Sequence, residues 1–378
     1  MIQLKKLQDI DVSNKRVILR AELDVPLENG KVLSDTRLKA NIPTINYLLE
    51  NNAKQIIIIG HLGRPKNKEP EKSLKYIHKP LEELTAQEIA FIPDFNITGL
   101  PENKLILFEN TRFFAEETNN NPDFAKKIAS FGDIFVNNCF STLTRDHASI
   151  TGIAKFLPAI AGFKVIEELE ALNISNKQHP KAFILGGAKM ETKIPVIKSM
   201  FDKVDKIFLG SATIILLLKV LGKYNGKILY DYHNLEELKE IANNPKIIIP
   251  VDFICSKTKT PSDITCKTIS EIQEDDYVCD FGPITTELFK RELSLMKTII
   301  WNGPLGFYEV PEFAKSSIEL AEFISKLDCF TLVGGGDTEE VLKIANIENK
   351  INHVCIGGGS MLKFLANQIL PGLEVLKK

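Results

Sequence analysis

The chain has 378 residues, of which 44% are hydrophobic and 25% are charged, and its formal net charge is −2. This length allows two domains with separate cores, and the composition is typical of a soluble globular protein. The near-neutral net charge argues against general nucleic-acid binding. The N-terminus is charged and does not read as a signal peptide. The apolar run at 213–218 is far too short to span a membrane.

Short β-branched runs, separated by helix-like stretches, recur along the chain. In the first half the predicted strands are Arg16–Ala21, Gln55–Gly60, Lys104–Glu109 and Asp133–Asn137. In the second half they are Lys181–Gly186, Lys206–Gly210, Lys246–Val251, Thr298–Trp301, Phe330–Gly334 and Asn352–Gly357. Near-continuous apolar strands suit sheets buried on both faces, and their alternation with helices implies parallel βαβ units. The predicted fold class is α/β, with two doubly wound, Rossmann-like parallel sheets.

One predicted helix, Gly162–Leu172, separates the two sets of strands. A polar stretch and Pro180 follow it, without a Gly/Ser-rich linker, which indicates a structured hinge. We therefore expect an N-terminal domain over residues 1–160, a connecting helix and hinge over 161–178, and a C-terminal domain over 179–363.

The six cysteines form no C-x-x-C pair and no metal-finger spacing, so we expect reduced, mostly packed thiols. Together with the lack of an export signal, this predicts a cytoplasmic protein. We expect a monomer without nucleic-acid or membrane partners.

Arginine is scarce here, and its placement is uneven. Six of the seven arginines lie in the first 145 residues, where an even distribution would place fewer than three. A guanidinium grips carboxylate or phosphate through two bonds, which a lysine ammonium cannot do. Four of these six arginines lie in or near loops that follow predicted strands: Arg37, Arg64, Arg112 and Arg145. Their placement predicts a binding site for a polyanion.

Glycine-rich loops follow the predicted strands of the second half, at 185–189, 209–212 and 333–338. Ligands of open α/β sheets lie beyond the carboxyl ends of the strands, so an arginine-lined site and a glycine-rich site suggest two anionic ligands that meet across a cleft. In the loop 334–338, glycines permit close approach to phosphate and Asp337 is a candidate Mg²⁺ ligand. A tight turn capping a helix that begins near Glu339 explains the same loop equally well.

Neither a Walker A sequence nor a G-x-G-x-x-G fingerprint occurs, which disfavours P-loop and dehydrogenase interpretations. Nucleotide binding then depends on the Asp337 loop together with Lys189 and Lys193, which share a face if a helix begins there, with Pro195 in its first turn. His61 and Arg64 are presented together after a strand. The sequence shows no obvious nucleophile or triad, which is compatible with direct phosphoryl transfer.

Taken together, these segments resemble the phosphoglycerate kinase family along nearly the whole chain. The matching stretches are Asp35–Arg37, Gly60–Pro65, Thr111–Phe113, His147–Ser149, Leu185–Lys189, Asp280–Pro283, Trp301–Pro304, Gly334–Asp337 and Gly357–Gly359, in the order and at the spacing of the family. The resemblance implies transfer of the acyl phosphate of 1,3-bisphosphoglycerate to ADP, giving 3-phosphoglycerate and ATP, with Mg²⁺. It also implies domain closure during turnover and a C-terminal segment, 364–378, that returns to complete the first domain.

The resemblance implies two sets of site residues. The glycerate ligand would be bound by Glu22, Leu23, Asp24, Arg37, His61, Leu62, Gly63, Arg64, Arg112 and Arg145. The nucleotide would be bound by Lys189, Lys193, Gly210, Asn302, Glu309, Gly335, Gly336, Asp337 and Thr338. Arg37 and Lys189 would be catalytic, Arg37 by stabilising the transferring phosphoryl group, while Glu309 would face the ribose and Asp337 the metal.

The chain departs from the family pattern at the glycerate site. The family has Asp-Phe-Asn where this chain has Glu22–Leu23–Asp24, so one carboxylate is extended and one negative charge is added. Around Asn137–Arg145 the family reads Asn-Asp-Ala-Phe-Gly-Thr-Ala-His-Arg, from which this chain differs at Asn138, Cys139, Ser141, Leu143 and Thr144. Gly210–Ala212 replaces a run of glycines. The alternative to an active kinase is a repurposed, non-catalytic nucleotide-binding paralogue; the retained Arg37, Lys189 and Asp337 favour the enzyme.

Overall fold

The computed structural model describes residues 2–187, 190–228 and 234–378. The chain divides into two compact units, one formed by Met1–Glu170 with Ile369–Lys378 and the other by Ala171–Gln368. Each unit is built around a parallel sheet, so the predicted α/β class with two parallel sheets is confirmed. In the described ranges, no helix combines the length and apolarity needed to cross a bilayer.

The strands of the first unit are β1 (Arg16–Arg20), β2 (Leu27–Glu28), β3 (Lys31–Val32), β4 (Gln55–Ile59), β5 (Ile89–Ile92), β6 (Leu105–Phe108), β7 (Ile134–Asn137) and β8 (Ala159–Ala161). The parallel sheet has the order β5-β6-β4-β1-β7-β8, and β2 and β3 form a separate hairpin. Arg20 pairs with Ile59 of β4 and Asn137 of β7. The carboxyl ends of the three central strands are therefore level with one another.

The helices in the N-terminal part of the chain are α1 (Thr36–Lys39), α2 (Ile42–Glu50), α3 (Lys75–Thr85), α4 (Ala115–Thr118), α5 (Pro122–Ala129) and α6 (Phe163–Ala171). Their formation follows local rules: α5 has Pro122 at its start, and the Asn121 side chain accepts hydrogen bonds from two N–H groups of the first turn. The helix predicted at 162–172 is confirmed as α6.

The sheet of the first unit is buried on both faces, as the apolar strands predict. Val17 and Ile56 belong to the main core, whereas the intervening Ile18 and Ile57 point to the opposite face and are also fully buried. The C-terminal segment packs on this unit: a short helix, Pro371–Glu374, lies beside the loop after β7, where the Gly372 N–H donates to the Leu143 carbonyl (2.9 Å).

The strands of the second unit are β9 (Lys181–Leu185), β10 (Lys206–Leu209), β11 (Asp252–Ser256), β12 (Thr265–Thr268), β13 (Tyr277–Phe281), β14 (Thr298–Asn302), β15 (Phe330–Gly334) and β16 (His353–Cys355). The helices are α7 (Met190–Met200), α8 (Ser211–Val220), α9 (Leu235–Ala242), α10 (Pro283–Leu293), α11 (Lys315–Ile324), α12 (Gly336–Ile344) and α13 (Gly358–Leu365). The parallel sheet has the order β10-β9-β14-β15-β16, and an antiparallel sheet has the order β12-β11-β13.

Three sequence predictions in this unit are wrong. The strand predicted at Lys246–Val251 is reduced to a single bridge between Ile247 and Ile207, because Pro250 has no N–H for a ladder. Pro195 lies inside α7 and not in its first turn, so it removes an interior backbone donor. The helix predicted to begin near Glu339 begins at Gly336, which places Asp337 in its first turn.

Candidate active site

Glu22 lies just beyond the carboxyl end of β1, and its carboxylate is fully buried. Arg37 of α1 approaches Glu22 Oε2 at 3.3 Å, and the backbone N–H and hydroxyl of Ser141 donate to the two carboxylate oxygens at 2.8 Å each. The Arg37 side chain remains part-exposed, with 28% of it accessible. A buried carboxylate thus orients an arginine whose side chain reaches the surface of the unit.

Asp24 and His61 lie on the loops after β1 and β4. Asp24 Oδ1 accepts from the Gly63 N–H (2.7 Å), and its Oδ2 lies 3.6 Å from His61 Nε2. Burial alone would raise the pKa of Asp24, but His61 and the Gly63 N–H hold that pKa well below its usual range. Asp24 is therefore an anion at neutral pH, and its charge lies among the cationic groups of this site.

Arg20 fixes the tautomer of His61. Burial lowers the pKa of His61 to about 4, so its imidazole is neutral at pH 7. Arg20 Nη2 lies 2.9 Å from His61 Nδ1, and because a guanidinium can only donate, Nδ1 is the acceptor and Nε2 carries the proton. Arg20 is fully buried and also donates to Ser149 Oγ (3.0 Å). The site residues predicted from the sequence did not include Arg20. The one available signal was the scarcity of arginine in this chain, since Arg20 is one of the six arginines in the first 145 residues.

The remaining predicted arginines follow β4, β6 and β7. Arg112 donates to the Gly63 carbonyl (2.7 Å), and burial together with the charge of Arg20 lowers the pKa of Arg112 to about 10, so it stays charged at neutral pH. Arg64 and Arg145 are exposed. Leu23 and Leu62 are buried and shape the loops from the core side.

Glycines at the carboxyl edge of the second sheet allow backbones to approach one another closely. A Cβ at Gly186, after β9, would overlap the carbonyl oxygen of Pro304, and Gly303 has φ +88°. Gly335, after β15, has φ +101° and directly precedes α12, and Gly210 directly precedes α8. Side chains would be strained or excluded here, so the edge presents bare backbone and two helix N-termini.

Thr338 and Asn302 are buried behind this edge. The Thr338 hydroxyl accepts from the Gly303 N–H (2.6 Å) and donates to the Gly334 carbonyl (3.0 Å), and Asn302 ends β14 beside Gly335. The Thr338 side chain is 0% exposed. Its hydroxyl therefore connects the loops after β14 and β15.

We expect Thr338→Val to lower the free energy of unfolding by about 1–3 kcal/mol, because the part-buried Gly303 N–H would lose its acceptor. Thr338→Ser keeps the hydroxyl and should lose much less. Urea denaturation of both variants checks this. Because valine keeps the γ-methyl and serine keeps the hydroxyl, a loss in Thr338→Val no larger than the loss in Thr338→Ser would contradict the hydrogen-bond role.

Lys193 of α7 is buried, with 5% of its surface exposed, and its amine has no hydrogen-bond partner among the described residues. Burial lowers the pKa of Lys193 to about 7, and Asp337 opposes that shift. The amine lies against Gly187, at 3.0 Å from the position a Cβ there would take. An unsatisfied buried amine is costly, and an anionic ligand would satisfy it. Lys189, the other predicted phosphate ligand, lies outside the described residues.

Asp337 and Glu309 are exposed at the same sheet edge. The Tyr308 hydroxyl donates to Asp337 Oδ1 at 3.3 Å, and Asp337 lies in the first turn of α12. Among the described residues no group of three or more His, Cys, Asp and Glu side chains is arranged to hold a metal. An exposed carboxylate beside a helix N-terminus suits Mg²⁺ that reaches the protein with phosphate, since Mg²⁺ takes one or two carboxylates plus phosphate oxygens.

Known proteins are similar to this chain over nearly its whole length. The family model for phosphoglycerate kinase matches residues 7–368. The chain is 38% identical to phosphoglycerate kinase of Dictyoglomus turgidum over 98% of each chain, and 39% identical to that of Thermosipho africanus over 97% of this chain and 96% of the relative. The solved phosphoglycerate kinase from Coxiella burnetii is 33% identical, with a TM-score of 0.87 over 99% of this chain and 98% of that one.

These matches cover both units, the arginine-lined edge and the glycine-rich edge alike. The resemblance seen in the sequence motifs is thus confirmed by all three comparisons. The chain belongs to the phosphoglycerate kinase family.

Proposed function

We propose that this family member transfers the acyl phosphate of 1,3-bisphosphoglycerate to ADP, reversibly, giving 3-phosphoglycerate and ATP. The observation that carries the proposal is the buried Glu22 carboxylate that orients a part-exposed Arg37 within an arginine-rich sheet edge. We assign the glycerate ligand to the first unit and the nucleotide to the second, and we expect a cytoplasmic monomer.

For the glycerate ligand, we assign carboxylate and phosphate binding to His61, Arg64, Arg112 and Arg145. His61 would donate through its Nε2–H, the tautomer that Arg20 enforces. Arg37 would contact the transferring phosphoryl group and stabilise its charge in the transition state. Glu22, Asp24, Leu23, Leu62 and Gly63 shape and hold these loops.

For the nucleotide, we assign phosphate binding to Lys193 and Lys189, to the backbone at Gly210, Gly335 and Gly336, and ribose binding to Glu309. Asn302 and Thr338 support the loops from behind. Asp337 would hold Mg²⁺, which would supply positive charge to offset that of the nucleotide phosphates. Lys193 would gain the anionic partner that its buried amine lacks among the described residues.

The test is ATP formation from ADP and enzymatically generated 1,3-bisphosphoglycerate in the presence of Mg²⁺. Turnover by the wild type establishes the reaction. Folded protein that binds nucleotide, but forms no ATP and does not bind 3-phosphoglycerate, would instead identify the repurposed paralogue.

Asp24→Asn tests the extra charge at the glycerate site. An amide keeps an oxygen for the Gly63 N–H but removes the negative charge that faces an anionic ligand. We expect the KM for 3-phosphoglycerate to fall by about two- to fivefold, since a partly exposed charge contributes up to about 1 kcal/mol. A higher KM would show that Asp24 binds the ligand or is required to orient His61.

A further inference from the structure

Three departures from the family pattern, Glu22, Asn138 and Ser141, lie together in the first unit although more than a hundred residues separate the first from the others. Strands β1 and β7 are parallel neighbours, with Arg20 and Asn137 in register. The segments that leave the two strands therefore run beside each other. Substitutions at these positions can compensate one another by direct contact.

Ser141 supplies two of the donors that hold the Glu22 carboxylate. Its N–H donates to Oε1 and its hydroxyl to Oε2, each at 2.8 Å. The family's glycine at this position has no hydroxyl, and the family's aspartate at position 22 is shorter by one carbon–carbon bond, about 1.5 Å. The longer side chain of Glu22 and the hydroxyl of Ser141 therefore contact each other directly, and both differ from the family pattern. Arg37 bonds the same oxygen, Oε2, as the Ser141 hydroxyl.

Asn41 and Asn138 fix the backbone of Glu22. Asn41 accepts from the Glu22 N–H and donates to the Glu22 carbonyl, both at 2.9 Å, and it also donates to the Arg37 carbonyl (3.0 Å). Asn138 donates to Asn41 Oδ1 (3.1 Å) while its own oxygen accepts from the Lys164 N–H. The family's aspartate at 138 would place an acceptor against Asn41 Oδ1, so the amide suits this arrangement.

We infer that Ser141 is a positioning residue for phosphoryl transfer: it acts through the Glu22 carboxylate on Arg37, and Glu22 and Ser141 form a functional pair in place of the family's aspartate and glycine. The inference rests on the proposed function, in which Arg37 contacts the transferring group. Small displacements of such a group are costly, because an error of about 1 Å can reduce a rate by about 100-fold.

The test is a double-mutant cycle with Glu22→Asp, Ser141→Ala and the double variant, measured as kcat/KM for 1,3-bisphosphoglycerate. We expect each single substitution to reduce kcat/KM by roughly tenfold through misplacement of Arg37. The double variant should lose no more than Glu22→Asp alone, since the shortened carboxylate no longer accepts from the hydroxyl. Ser141→Thr, which keeps a hydroxyl, should retain more activity than Ser141→Ala.

The controls separate positioning from stability and from failure of the proposed function. Ser130→Ala removes a hydroxyl that bonds the Lys127 carbonyl on the surface of the same unit and should leave kcat/KM unchanged. The KM for ADP and the melting temperature should not follow the kcat/KM losses. Multiplicative losses in the double variant, or losses that track the melting temperature, would overturn the inference alone. Absence of turnover in the wild type would overturn the proposed function with it.

Discussion

Arg37→Ala is expected to lower kcat by about 1,000-fold or more while the Kd for ADP stays within about twofold of the wild type. The guanidinium is the part-exposed member of the Glu22 pair, and its proposed contact is with the phosphoryl group whose charge develops in the transition state. Its removal therefore acts on the chemical step and not on nucleotide binding. Steady-state kinetics in the direction of ATP formation and calorimetric titration with ADP measure the two quantities.

Two variants make this result specific. Arg16→Ala removes an arginine from the start of β1, the strand that Glu22 follows. Arg16 pairs with Asp133 at 3.5 Å on the surface, and its removal should leave kcat unchanged. Arg37→Lys keeps the charge but not the planar fork, and should recover only part of the lost rate. If Arg37→Ala keeps its kcat, Arg37 does not contact the transferring group. An equal loss in Arg16→Ala would point to the overall charge of the unit.

Strand periodicity and motif order predicted most of the parallel framework. Runs such as Ile56–Ile59 are apolar at every position because they are covered on both faces. The antiparallel sheet β12-β11-β13 escaped prediction because its signal is weak: β12 reads Thr-Cys-Lys-Thr and is mostly exposed. Whether such a segment forms a strand depends on pairing with segments that are distant in the sequence. The residues of the segment itself do not reveal that pairing.

For the candidate site, the sequence identified the departures but not their contacts. Glu22 and Asp24 were recognised as altered acids, yet the Ser141 donors to Glu22 and the Gly63 N–H to Asp24 come from other loops. Arg20 lies within a predicted strand, and an arginine in a strand is expected at a solvent-facing or edge position. It was therefore not predicted to be a site residue. Its full burial depends on Ser149 and His61, which the fold brings from 129 and 41 residues away.

Lys193 combines a cost to stability with a proposed function, and this combination is testable. A buried amine without a partner among the described residues destabilises the unliganded fold, while the same amine can bind a phosphate strongly once one is present. Function and stability should therefore respond in opposite directions to its removal. Residues that only support the fold do not behave in this way.

We expect Lys193→Met to lower kcat/KM for ADP by roughly 100-fold and to raise the free energy of unfolding of the unliganded protein by about 1–3 kcal/mol at pH 7. The gain should depend on pH. Because the folded pKa is about 7 and the ordinary value is 10.5, the unfolded chain binds more protons in this window, so wild-type stability rises with pH. The advantage of the variant should therefore be largest at pH 7 and shrink toward pH 10.

Lys181 offers the matched control, since it is also buried in the second unit but its amine donates to the Ile174 carbonyl at 2.8 Å. Lys181→Met should lower the free energy of unfolding by about 1–3 kcal/mol, because that carbonyl loses its partner. Denaturation at pH 7 and pH 10 with kinetics on all three proteins distinguishes the outcomes. If Lys193→Met destabilises the protein as Lys181→Met does, the Lys193 amine stabilises the unliganded fold, and the proposal that it lacks a partner until phosphate binds is wrong.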